Sequence, residues 1–146
     1  MINEQIKVTG DVVVVVTGPD GREKDRREIK NLVVTTGKTF IASRMVGVSS
    51  NVMSHMAIGS GSASPVAGNT ALATELGRMA LDSSTFNNNS ASYAATFPAG
   101  TGTGAIAEAG IFNSAAGGIM LCRTVFGVVN KGADDAMSIT WSITVS

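Results

Sequence analysis

The feature that most constrains the fold lies at the C-terminal end. Met137, Ile139, Trp141, Ile143 and Val145 alternate with Ser138, Thr140, Ser142 and Thr144. Side chains along a strand point to opposite faces in turn, so this period of two predicts a β-strand with one buried and one wet face. A strand of this kind needs neighbours and a second layer to cover its apolar face. Residues 5–17 offer a first neighbour, ending in the run Val12 to Val16. β-Branched residues favour the pleated backbone, and an unalternating run predicts cover on both faces. Gly18-Pro19-Asp20-Gly21 predicts a turn, because Pro presets the second position and Gly closes the fourth. Further turns are expected at Asn87–Ser90, in the glycine-rich 98–104 segment and at Gly117-Gly118. Between them, strands are expected over 78–86, with Met79, Leu81 and Phe86 facing in, then over 93–97, 105–112 and 119–129.

Two stretches depart from the strand pattern. Phe40, Ile41, Arg44 and Met45 recur at helical spacing, which predicts a short amphipathic helix over 37–46, stopped by Gly47. Residues 55–78 run from an apolar strand (Met56 to Ile58) through a small-residue loop. There Gly59 and Gly61 have access to positive φ, and Pro65 holds Ser64 extended. Asn69 or Thr70 is placed to cap a helical turn carrying Leu72 and Leu76. Seven or so short strands with one or two short helices predict a mainly β chain. The expected architecture is one domain over residues 1–146, an antiparallel β-sandwich of which a jelly roll is one form, with the 5–30 hairpin protruding.

Composition narrows the classes of function. Lysines and arginines number 11, as do aspartates and glutamates, so zero net charge gives no reason to expect nucleic-acid or membrane partners. Charged residues make up 15%, against about 25% in an ordinary soluble domain. No apolar run approaches the roughly 20 residues of a membrane span, so the polar deficit points to surface covered by other protein. The charges are unevenly spread. Eight of the nine residues from Arg22 to Lys30 are charged. Such a strand is a solvated edge guarded against aggregation or a salt-bridging docking arm, and Arg22, Lys24, Arg26 and Arg27 are its candidate partner-binding residues. Met1-Ile2-Asn3-Glu4 has neither a basic start nor an apolar stretch of a leader, which fits synthesis in a cytoplasm.

Signals for chemistry are sparse. Gly37-Lys38-Thr39 imitates the end of a P-loop, but the leading glycine position holds Leu32. Gly59-Ser60-Gly61 lacks the third glycine of a dinucleotide fingerprint, and Gly100 to Gly104 is expected between strands. A Ser-His-Asp arrangement would have to use His55, whose neighbour Ser54 should point to the opposite face. Cys122 is the only cysteine and reads as a small buried apolar residue; with one His and one Cys, no metal site and no cofactor are expected. Asp134-Asp135 reads as a solvated loop pair. No catalytic residues are assigned. The polar residues that stand out are Glu108, whose strand face is shared with Ile106 and Phe112, and Arg123, beside Leu121 and Val125. An isolated charge in such surroundings costs several kcal/mol, so a structural ion pair is predicted, Glu108–Arg78 or Glu108–Arg123.

The order of these motifs carries a resemblance. Residues 55–78, with Ile58-Gly59-Ser60-Gly61, Ser64-Pro65, Asn69-Thr70, Leu72, Glu75 and Arg78, are followed by Glu108-Ala109-Gly110-Ile111-Phe112 and a strand running to Arg123. Over residues 29–146 this pattern resembles small structural proteins of tailed bacteriophages, which serve as capsid decoration, tail or tail-fibre components. The resemblance implies a non-enzymatic virion protein made in the host bacterial cytoplasm. Its first form is a capsid decoration (cement) protein that binds the major capsid protein across capsomers and stabilises the head. The other form is a tail, baseplate or fibre component, an adaptor or host-receptor binder whose partners are tail proteins. The similar proteins keep a Glu and an Arg at these places, which implies structure rather than turnover. Capsid symmetry suggests a homotrimer. Glycan reading is disfavoured, since a single Trp and a single Tyr leave few aromatics for loops.

Overall fold

The computed structural model describes residues 4–146; Met1–Asn3, on which the leader reading partly rests, lie outside them. Ten strands and one helix follow in the order β1 (Val8–Thr17), β2 (Glu23–Lys30), β3 (Leu32–Val33), α1 (Thr35–Met45), β4 (His55–Gly59), β5 (Glu75–Ala80), β6 (Ser83–Asn87), β7 (Ser90–Phe97), β8 (Gly104–Phe112), β9 (Met120–Lys131) and β10 (Ala136–Val145). They form two antiparallel five-stranded sheets, β2-β1-β10-β7-β6 and β3-β9-β8-β4-β5. The chain is mainly β, and the two sheets make a sandwich. Hairpins β1–β2, β4–β5, β6–β7 and β8–β9 each stay within one sheet, whereas a jelly roll crosses between sheets at most turns.

The predicted alternation of β10 holds in its burial from Met137 to Ile143, whereas Val145 at the end of the strand is 40% exposed. Met137, Ile139, Trp141 and Ile143 are in the core, and Ser138 and Thr140 face solvent. β1 pairs with β10 along its whole length, from Val8↔Val145 to Thr17↔Ala136. The N-terminal hairpin is therefore part of the first sheet and does not protrude. Nor are the valines covered on both faces: Val12, Val14 and Val16 are buried, while Val13 and Val15 are half-buried on the outer face.

The helix spans Thr35–Met45 and ends as expected at Gly47, which takes φ +73°. The Val48 N–H donates to the Ser43 carbonyl (3.0 Å) and the Gly47 N–H to Arg44 (3.2 Å), the two bonds of a Schellman motif. Phe40 and Ile41 pack on the core, but Met45 is 83% exposed, so the apolar face is narrower than its spacing implied. Gly37 lies in the helix against β9, where a Cβ would meet the Leu121 carbonyl oxygen at 2.0 Å. Its glycine thus serves helix–sheet packing.

The expected strand over 78–86 is two strands, β5 and β6, that belong to different sheets. The chain crosses at Leu81-Asp82, where Leu81 N–H donates to Ser54 and Asp82 N–H to Ala94. Met79 and Leu81 are half-buried against the core; Phe86 is exposed. No helical turn forms around Leu72. Residues 60–74 are instead an irregular strap laid over the outer face of the second sheet. There Leu72 joins Val34, Ala57, Phe112 and Met120 in a small second core.

Candidate functional site

That strap is fastened by one carboxylate. A β-bulge between Ile106 and Glu108 breaks the period of two, so Ile106 enters the main core and Glu108 turns to the opposite, strap-covered face. The expectation that Glu108 shares a face with Ile106 is corrected by this irregularity, in which Ala107 of β8 lies opposite Phe126, Gly127 and Val128 of β9. Glu108 Oε1 accepts from Ala73 N–H (2.8 Å) and from Arg123 Nε (3.1 Å). Oε2 accepts from Gly61 N–H and Thr74 N–H, each at 2.8 Å. A carboxylate has about four lone-pair sites, and all four are filled.

Arg123 lies across the sheet beside Glu108, and both are fully buried. Its Nη2 sits 3.0 Å from Glu108 Oε1 as a coulombic contact without hydrogen-bond geometry. Its Nη1 donates to Asn69 Oδ1 (3.1 Å), which also accepts from Val66 N–H. Asn69, expected as a helix cap, therefore closes a turn of the strap and anchors it to the arginine. The glycines make this approach possible. A Cβ on Gly61 would lie 2.4 Å from Glu108 Oε2, and one on Gly59 would lie 2.2 Å from the Thr74 carbonyl oxygen. Neither glycine has positive φ, so closeness explains them where backbone freedom had been expected to.

Arg78 does not reach Glu108. It makes a bidentate pair with Glu75 (3.0 and 2.7 Å), donates to the carbonyls of Ser114 and Gly117, and stacks 3.9 Å from the Phe112 ring centre. Arg78 thus ties the 113–118 loop to the outer face of the same sheet that carries Glu108 and Arg123. Arginine suits the position because its planar fork bonds a carboxylate while its face lies on an aromatic ring.

The charged residues of β2 are largely paired with charges of their own strand or its neighbours. Arg26 pairs with Glu23 (2.7 Å), Arg27 with Asp25 (3.0 Å) and Lys30 with Asp11. Arg27 is held up and Asp25 down in pKa, each chiefly by the hydrogen bond between them. Lys24 Nζ donates to both oxygens of Asp135 (3.1 and 2.9 Å). Of the four candidate docking residues only Arg22 is almost free, 3.9 Å from Asp20.

Asp135 is not solvated, as its loop position had suggested, but buried. Lys24, together with the Gly132 N–H, holds its carboxyl below the usual range. Beside it the buried Lys131 donates to the carbonyls of Pro98 (2.9 Å) and Asp135 (2.8 Å), and burial draws its ammonium below the ordinary lysine value. The sequence held one clue to this cluster: Lys131 has the parity of Val129 on β9, and both are buried.

Ser54 and His55, expected to diverge, are hydrogen-bonded (Oγ to Nδ1, 2.8 Å), because Ser54 precedes the strand and is not bound by its alternation. No carboxylate bonds the ring among the described residues. Those residues also contain no cluster of three or more His, Cys, Asp or Glu with metal-binding geometry, and no helix long and apolar enough to cross a membrane. Cys122 is buried and free.

A different surface is open for contact. Phe86 on β6, Val52 in the segment before β4, and Met45 and Val46 at the end of α1 are all exposed. A cavity of about 270 Å³ opens beside Phe86, lined also by Val52, Met53, Ser84, Ala91 and Tyr93. Exposed Phe86 and Val52 at a concavity whose lining carries no charged side chain suit a protein partner better than a small polar substrate. No protein-family model, curated protein or solved structure matches the chain.

Proposed function

We propose that this protein is a non-enzymatic structural component of a tailed-bacteriophage particle, a decoration or cement protein of the capsid. It acts as a homo-oligomer that binds the major capsid protein across capsomers and stabilises the head. The observation that carries this reading is the use of the buried charges. Glu108 has every lone pair engaged by the strap and by Arg123, and Arg78 is spent on Glu75 and two carbonyls. These groups stiffen a sandwich and fasten its longest loop, which suits a protein whose work is to hold a shape against neighbours. The exposed apolar residues Met45, Val46, Val52 and Phe86 supply contact area of the kind found at assembly interfaces. A tail, baseplate or fibre component is the second reading, supported by the same motif order.

Copy number in purified particles separates these readings, measured by quantitative mass spectrometry against the major capsid protein. Hundreds of copies support a head protein, and a few to a few dozen assign it to the tail. Absence from particles overturns both. Reversing the charges of Arg22, Lys24 and Arg26 and measuring binding to stripped capsids tests the β2 edge separately. Unchanged binding there removes the edge from the docking surface without touching the rest of the reading.

A further inference from the structure

The sandwich has four sheet edges, and they are not equally protected. β2 carries seven charges in eight residues, β3 is two residues long, and β5 bears Glu75 and Arg78. β6 is Ser83-Ser84-Thr85-Phe86-Asn87, uncharged and exposed at every residue. Its free backbone groups are a template for another strand, since charge, brevity and cover are the usual protections and β6 has only shortness.

The pleat fixes where its side chains point. Ser84 pairs with Tyr93, which pairs with the buried Trp141, so Ser84 and Phe86 lie on the core-facing side of the sheet. Phe86 is nonetheless 83% exposed, beside the cavity of about 270 Å³ that Val52, Met53 and Ser84 help to line.

We propose that two copies of this chain associate through β6, antiparallel about a two-fold axis at Thr85, joining two five-stranded sheets into one of ten. In that register Thr85 faces its own copy, Ser84 faces Phe86 of the other copy, and Ser83 faces Asn87. Each Phe86 ring then lies over the other copy's Ser84, at the mouth of the cavity which that serine lines. Donor and receiver belong to the same short strand, which is the self-complementarity an isologous contact requires. β2 suits self-pairing less, because a two-fold at its centre would set Arg26 or Arg27 against its own copy, whereas a two-fold at Thr85 of β6 opposes no charges. The contact is independent of the virion reading, and it replaces the three-fold association that capsid symmetry suggested with a two-fold one.

Sedimentation velocity over a concentration series up to about 1 mM, the scale of weak association, tests it on the full chain. Expected is a rise from the 14.9 kDa monomer towards twice that mass. Thr85→Lys, which sets two ammonium groups face to face, and Phe86→Lys should each weaken the dimer at least tenfold. Circular dichroism verifies that these variants fold. Thr85→Cys should give a disulfide-linked dimer on mild oxidation, and Ser62→Cys on the exposed strap should not, so the register is tested even if the lysine variants misfold. A monomer throughout the series, a trimer, a dimer indifferent to both lysines, or equal crosslinking at positions 85 and 62 would overturn the proposal.

Discussion

Replacing Glu108 by Gln keeps the shape of the side chain and removes its charge. Arg123, fully buried, is left without a counter-ion. The new amide N–H₂ must also face N–H donors, whichever way it turns, because both carboxylate oxygens accept from backbone amides. Breaking one side of a buried pair costs about 3–5 kcal/mol. Total stability is about 5–15 kcal/mol for a domain, so a loss near 4 kcal/mol is a large share of it. At roughly 2–4 °C per kcal/mol for a chain near this size, the melting temperature should fall by about 8–16 °C. Hydrogen exchange locates the effect: the amides of Gly61, Ala73 and Thr74 should lose protection together, while those of β1 and β10 follow global stability. The double variant Glu108→Leu, Arg123→Met removes both charges. Its cost should fall short of the summed single costs by about 2 kcal/mol or more. A Glu108→Gln loss below about 1 kcal/mol, or strict additivity in the double variant, would refute the view that this pair fastens the strap.

Four further outcomes follow from the structure. Gly61→Ala should destabilise by about 1–3 kcal/mol in a denaturant titration, because its Cβ would press on Glu108 and Ala73. Gly68→Ala, with nothing within 4 Å of the added carbon, should stay within about 0.5 kcal/mol. The Asp135 carboxyl is held below its ordinary value by Lys24 and the Gly132 amide, so near its titration the unfolded chain binds more protons than the folded one. Its contribution is present above the ordinary aspartate range near pH 3.8 and lost as pH falls through the lower folded value. Stability curves across pH 2–6 should show a shallower acid limb in Asp135→Asn. Burial pushes the Cys122 thiol up, so a thiol reagent should leave it unmodified in the native protein and label it only as the chain unfolds.

The sequence by itself determined most of the sheet-forming segments and turns, though not the start of β5 or the break between β5 and β6, because those that it did determine depend on short-range rules. The period of two from Met137 to Val145, the Gly18–Gly21 turn and the Gly47 helix stop are each set within a few residues. It also marked Glu108 and Arg123 as charges in apolar surroundings that need partners. What it could not settle depended on contacts between distant residues. Arg78 and Arg123 were equal candidates for Glu108 in the sequence, and the pairing of β8 with β9 across Gly110↔Arg123 brings only one within reach. The bulge before Glu108 reverses the face that simple alternation assigns. The buried Asp135 finds its counter-ion only because Lys24, 111 residues earlier, is brought beside it by the β1–β2 hairpin. Strand propensity is local, but the partner of a buried charge and the exposure of an edge such as β6 exist only once two sheets have closed on each other.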